Sequence, residues 1–120
     1  ARITHGLSFD FSVGKTITGD SDVGCAYLNP YDPDYNKPSF ECSYIRDMGY
    51  RELDDVTEAP ATGYSDYYDR VEAKVGHVYC VRTTEGHYAK LRVTQTGGVE
   101  FNVYIEFDWV YQPSGERKFQ

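Results

Sequence analysis

From residue 99 the odd positions Val99, Phe101, Val103, Ile105, Phe107, Trp109 and Tyr111 are apolar, while Glu100, Asn102, Glu106, Asp108 and Gln112 take most of the even ones. Successive side chains of a strand point to opposite faces, so this alternation predicts one long strand with an apolar face and a wetted one. Upstream, alternating runs over 77–84 and 87–95 flank Glu85 and Gly86. A two-residue loop there pairs Val78 with Val93, Cys80 with Leu91 and Arg82 with Ala89, which collects the apolar residues on one face. Leu7, Phe9, Phe11 and Val13 alternate with Ser8, Asp10 and Ser12, predicting a first strand that ends at Gly14.

Residues 23–28 and 40–46 read as a second and third strand, and 70–75 as a later one with Val71, Ala73 and Val75 on one side. Between the second and third, Pro30, Pro33 and Pro38 forbid a ladder, so 29–38 is an exposed loop. Segment 47–69 is irregular, and only 50–53 has pairing character. No helix longer than a turn and no internal repeat is visible. The sum is an all-β fold: a single-domain, mostly antiparallel β-sandwich, Ig-like or barrel-like, of about seven strands. Residues 1–6 carry no core of their own and read as an N-terminal arm on a domain spanning 7–120.

A chain of 120 residues suffices for one self-supporting core. With 12 basic residues against 19 acidic ones the net charge is -7, which disfavours nucleic acid or an anionic membrane as partner. No stretch approaches the apolar length of a membrane span, no charged-then-apolar leader is present at Ala1, and the chain starts without Met, so it reads as a processed or trimmed mature form. Twelve Tyr, six Phe and 11 Gly with a single Trp and Met suit a secreted all-β protein. Cys25 and Cys42 sit in strand-like runs on either side of the proline loop. A disulfide between them would add about 3 kcal/mol, leaving Cys80 in the hairpin, and three buried thiols are the alternative.

Candidate chemistry is sparse. The Asp32-x-Asp34-x-Asn36 spacing matches the first half of a calcium loop, but Lys37 and Ser43 stand where glycine and glutamate belong, so a solvated turn is expected. Gly19-Asp20-Ser21-Asp22 reads as a hairpin tip. In the two-residue register His77 and His87 lie about 23 Å apart on opposite faces, too far to share one metal. No Gly-x-Ser-x-Gly or nucleophile–base spacing marks a catalytic centre, and Glu106 with Asp108 is a pairing nineteen acids produce by chance. No catalytic residue, metal or cofactor is therefore expected, and the chain does not read as an enzyme. Arg82, Lys90 and Arg92 are expected to cover sheet edges and pair with Glu85, Glu100 or Glu106.

Two features fit association. Tyr31 and Tyr35 in the proline loop, and Tyr64, Tyr67 and Tyr68 in 62–69, offer amphipathic contact area for proteins or glycans. The arm, with Arg2, Ile3, Thr4 and His5, has the composition of a strand that adds to an open sheet edge of another copy, a contact that makes a filament when repeated head to tail.

Residues 76–93, with the Tyr88-Ala89-Lys90 step, together with Phe107-Asp108-Trp109-Val110-Tyr111-Gln112-Pro113-Ser114-Gly115 and the opening Phe9-Asp10-Phe11-Ser12-Val13-Gly14-Lys15, resemble a recurring module of uncharacterised secreted prokaryotic proteins. The hairpin alone is similar to the HmuY-like haem-binding lipoproteins, whose two haem-binding histidines carry over to no residue here. Both resemblances imply a β architecture and a location outside the cell or on its surface; neither supplies an activity. The expectation is a structural, non-catalytic subunit of an extracellular filament or surface assembly, partnered by copies of itself and using the arm and the tyrosine loops. The alternative is a secreted module that binds carbohydrate or haem.

Overall fold

The computed structural model describes residues 1–19, 21–27, 37–41, 44–66, 70–98 and 100–119. Ten strands are described: β1 Arg2–Thr4, β2 Leu7–Asp10, β3 Lys15–Thr18, β4 Val23–Tyr27, β5 Pro38–Glu41, β6 Tyr44–Tyr50, β7 Val71–Glu72, β8 His77–Arg82, β9 Tyr88–Gly97 and β10 Tyr104–Gln112. They form two five-stranded antiparallel sheets, ordered β1-β10-β9-β8-β6 and β3-β2-β4-β5-β7. The only helical elements described are single 3₁₀ turns at Leu53–Asp55 and Glu100–Asn102. An all-β sandwich is what the alternating pattern predicts.

The core lies between the sheets. Ile105 and Phe107 from β10 and Leu91 and Val93 from β9 meet Phe9, Val23 and Phe40 from the second sheet, all at most 3 % exposed. Phe9 packs edge-on against Phe107 and Trp109, each at 5.4 Å between ring centroids, an arrangement that suits the ring quadrupoles. Tyr79 is buried beside Phe40 and keeps its hydroxyl satisfied, donating to the Glu72 carbonyl at 2.7 Å and accepting the Lys74 amide at 3.0 Å.

A second apolar cluster lies on the opposite face of the first sheet. Val78 and Cys80 are covered there by Val56, Ala59 and Phe119, with Leu53, Tyr64 and Tyr88 at the margin. The cover is laced by main-chain bonds, from the Ala59 amide to the Arg117 carbonyl at 2.8 Å and from the Phe119 amide to the Thr57 carbonyl at 3.0 Å. Lys90, 4 % exposed, projects into this layer and donates from Nζ to the carbonyls of Leu53 and Val56, both at 2.8 Å.

Several expectations are corrected. The β8–β9 loop is one residue longer than a two-residue turn: the Thr83 amide donates to the His87 carbonyl, the Gly86 amide donates back to Thr83, and Gly86 takes φ 82°. The register becomes Val78 with Arg92, Tyr79 with Leu91, Cys80 with Lys90 and Val81 with Ala89. Tyr79 and Val81 thus face the main core, while Val78 and Cys80 face the second cluster. Because both faces of β8 are covered, alternation carries no register information there.

The run 40–46 is two strands in different sheets, β5 and β6. The first strand stops at Asp10, whose carboxylate takes the Ser12 amide at 2.9 Å and turns the chain, so that Phe11 enters the core and Val13 is 58 % exposed. Gly19 to Asp22 joins β3 to β4, which flank β2 instead of pairing as a hairpin. The last strand begins only at Tyr104, after a turn at Gly98 that leaves Phe101 66 % exposed, and a bulge interrupts it between Glu106 and Phe107. Lys90 covers no edge; it is buried, and Arg92 donates from Nε to the Arg51 carbonyl at 2.9 Å.

Candidate functional site

The N-terminal residues form an edge. β1 pairs with β10 through Arg2 opposite Glu106, Ile3 opposite Ile105 and Thr4 opposite Tyr104. The Phe107 amide donates to the Ala1 carbonyl at 2.9 Å and the His5 amide to the Val103 carbonyl at 3.0 Å. Odd positions therefore face β10, and the main-chain groups of Arg2 and Thr4 point away from it. The Thr16 hydroxyl reaches the outward Arg2 carbonyl at 3.3 Å. Among β1 side chains only Ile3 is buried, at 0 % exposure, where it joins the main core. The Arg2 guanidinium lies over the Tyr104 ring at 4.0 Å, and the His5 ring meets Phe101 edge-on at 5.1 Å.

The link from β1 to β2 is short. His5 and Gly6 carry the chain from one sheet to the other, and Gly6 has φ 82°, a conformation that favours glycine. Arg2, Ile3, Thr4 and His5 are thus brought together along one sheet edge, as contiguity requires.

The tyrosines divide differently. Tyr64 is a packing residue: it is half-buried, its hydroxyl donates to the Pro60 carbonyl at 2.8 Å, and its ring tilts against Tyr88 at 6.3 Å. Burial pushes its phenol well above the ordinary range. Tyr31, Tyr35, Tyr67, Tyr68 and Cys42 lie outside the described residues, as does the side chain of Cys25, so the expected disulfide does too. The proline loop and its aspartates fall there as well, Lys37 and Pro38 excepted. Cys80 is a free, fully buried thiol that burial pushes up to about 11, which makes it unreactive.

No family model and no curated protein matches this chain. Its titratable groups must therefore be read on geometry. His77 and His87 lie at opposite ends of the β8–β9 hairpin, and the shifted register gives them the same strand parity, so separation along β8 keeps them apart. His77 Nδ1 stands 2.9 Å from Asp47 Oδ1, and His87 Nδ1 stands 2.7 Å from the Tyr111 hydroxyl. Among the described residues no group of three or more His, Cys, Asp or Glu side chains could hold a metal ion.

Three residues hold positions that the sequence does not announce. Asp22, 3 % exposed, accepts main-chain amides from Phe11 and Thr84. Lys90 ties the 3₁₀ turn to the sheet, and Tyr50 stands 75 % exposed at the end of β6. Only Asp22 had a local signal, an acid before an apolar run; the other two depend on partners distant in sequence.

Proposed function

We propose that this chain is a non-catalytic subunit of an extracellular filament or surface assembly, joined to its neighbours by exchange of strand β1. The observation that carries this reading is the attachment of β1: three residues, one buried side chain at Ile3, and a two-residue link through Gly6 at φ 82°. A strand held by so little surface detaches at small cost, and the uncovered edge of β10 is a template for an identical strand from another copy. The exchanged strand makes the same hydrogen bonds in either chain, so concentration and the geometry of the link set the balance. Repeated head to tail the contact is open-ended, whereas reciprocal exchange closes a dimer. The extracellular setting is supported by the resemblance to secreted modules and by the tyrosine-rich all-β composition.

A reversible lock tests the proposal. Arg2 and Glu106 are directly opposed, so the double substitution R2C/E106C closes β1 onto its own β10 under oxidation. The wild type and the reduced variant should assemble at high concentration, as seen by sedimentation and negative-stain microscopy, and the oxidised variant should stay monomeric. Assembly of the oxidised variant, or a wild type that remains monomeric, overturns the exchange.

A further inference from the structure

The edge of the first sheet farthest from β1 carries a different feature. Tyr50, the last residue of β6, leaves 75 % of its surface in water, and its ring has three neighbours. It lies against Gly76, where a Cβ would collide with the ring, so glycine is required for the contact. His77, directly opposite on β8, stands edge-on at 6.3 Å with an interplanar angle of 88°. The Arg92 guanidinium is 5.9 Å from the ring centroid and is itself fixed by the bond from Nε to the Arg51 carbonyl. A bulge between Asp47 and Tyr50 sets the angle of the strand end: Gly49 takes φ 89° and its amide donates to Asp47 Oδ1 at 2.8 Å.

Arg51, Lys74 and Arg92 bring cationic side chains to this corner of an acidic chain. Arg51 and Lys74 are exposed, Arg92 is half-buried, and the Lys74 carbonyl accepts the His77 amide. Asp47 is engaged by His77 and the Gly49 amide, and the exposed Glu52 follows Arg51. An open aromatic face beside a guanidinium is complementary to a pyranose ring, whose C–H face stacks on the phenol while its substituents reach the polar rim.

We propose that Tyr50 is the stacking platform of a glycan-binding site selective for an oligosaccharide that carries a hexuronate, with the uronate carboxylate met by Arg92. One platform with one guanidinium suits a uronate flanked by neutral sugars. A single-stranded nucleic acid instead needs successive stacking residues along a basic groove.

The test uses hyaluronan hexasaccharide, in which uronate and neutral sugars alternate, titrated into ¹⁵N-labelled protein, with cellohexaose and oligothymidylate as comparisons. Shifts confined to residues near Tyr50, Gly76, His77 and Arg92 are expected with hyaluronan and absent with the other two. Y50A should weaken binding by about tenfold or more, Y50F should keep it within about threefold, and R92Q should weaken it and reduce its salt dependence. The spectra of the variants report directly that they are folded. No hyaluronan shifts, equal binding of cellohexaose or oligothymidylate, or full binding by Y50A overturns the proposal. The site lies on the opposite edge from β1, and the titration is done on the oxidised R2C/E106C monomer, so its outcome is independent of strand exchange.

Discussion

The carboxylate of Asp22 accepts the backbone amide of Thr84 at 3.0 Å with one oxygen, and its other oxygen takes the amide of Phe11 at 2.8 Å. One buried side chain thereby fastens the turn after β2, in the second sheet, to the tip of the β8–β9 hairpin in the first. Asn has the same shape but a single acceptor oxygen, so in D22N one of the two amides faces an NH₂ group. D22N should lose about 1–3 kcal/mol of stability, read from the midpoint of urea unfolding. An unchanged midpoint would show that the clamp contributes nothing.

The same residue predicts a pH dependence of defined sign. Burial raises the Asp22 carboxyl above its ordinary 3.8, outweighing the amides of Thr84 and Phe11 that lower it, and the charge of Asp10 adds to the rise. In the window between 3.8 and the folded value the native state holds a proton that the unfolded chain has released, so stability falls as pH increases through it. D22N lacks this component. The stability margin of the wild type over D22N should therefore shrink as pH rises through the window and level off above it. Paired urea titrations at a series of pH values measure the margin, and growth with pH would contradict the assignment.

Cys80 offers a probe of the second apolar cluster. It is fully buried and its thiol is pushed up to about 11, so iodoacetamide at mildly alkaline pH should leave it unmodified in the native protein. Phe119, 8 % exposed, is part of its cover. F119A should cost about 3 kcal/mol and make Cys80 alkylation fast enough to follow by peptide mass spectrometry. Rapid alkylation of Cys80 in the wild type would mean that the cover is not closed in solution.

The site was legible in proportion to how local its determinants are. Arg2 to His5 could be singled out as a contiguous group ahead of the first alternating run, but not that Ile3 enters the core opposite Ile105, because that pairing spans nearly the whole chain. Tyr64 has the local look of an exposed loop aromatic, and only the fold brings Pro60 and Tyr88 to it. Tyr50 stands out neither by neighbours nor by spacing; its neighbours are Gly76 in the turn before β8, His77 on β8 and Arg92 on β9.

For the fold, period-two alternation by itself determined an all-β chain and the inward side of β10, since Ile105 and Phe107 are both buried as the pattern requires. That signal is local: a residue buried on one face of a strand repeats every second position whatever lies across from it. Tertiary structure decided the rest. It set the three-residue loop at Thr84 to Gly86 that moves the hairpin register by one, divided 40–46 between two sheets, and buried Lys90 beneath carbonyls it meets only in the folded chain. Each depends on which surface covers a strand's second face, and where both faces are covered, as on β8, a polar–apolar alternation has nothing left to report.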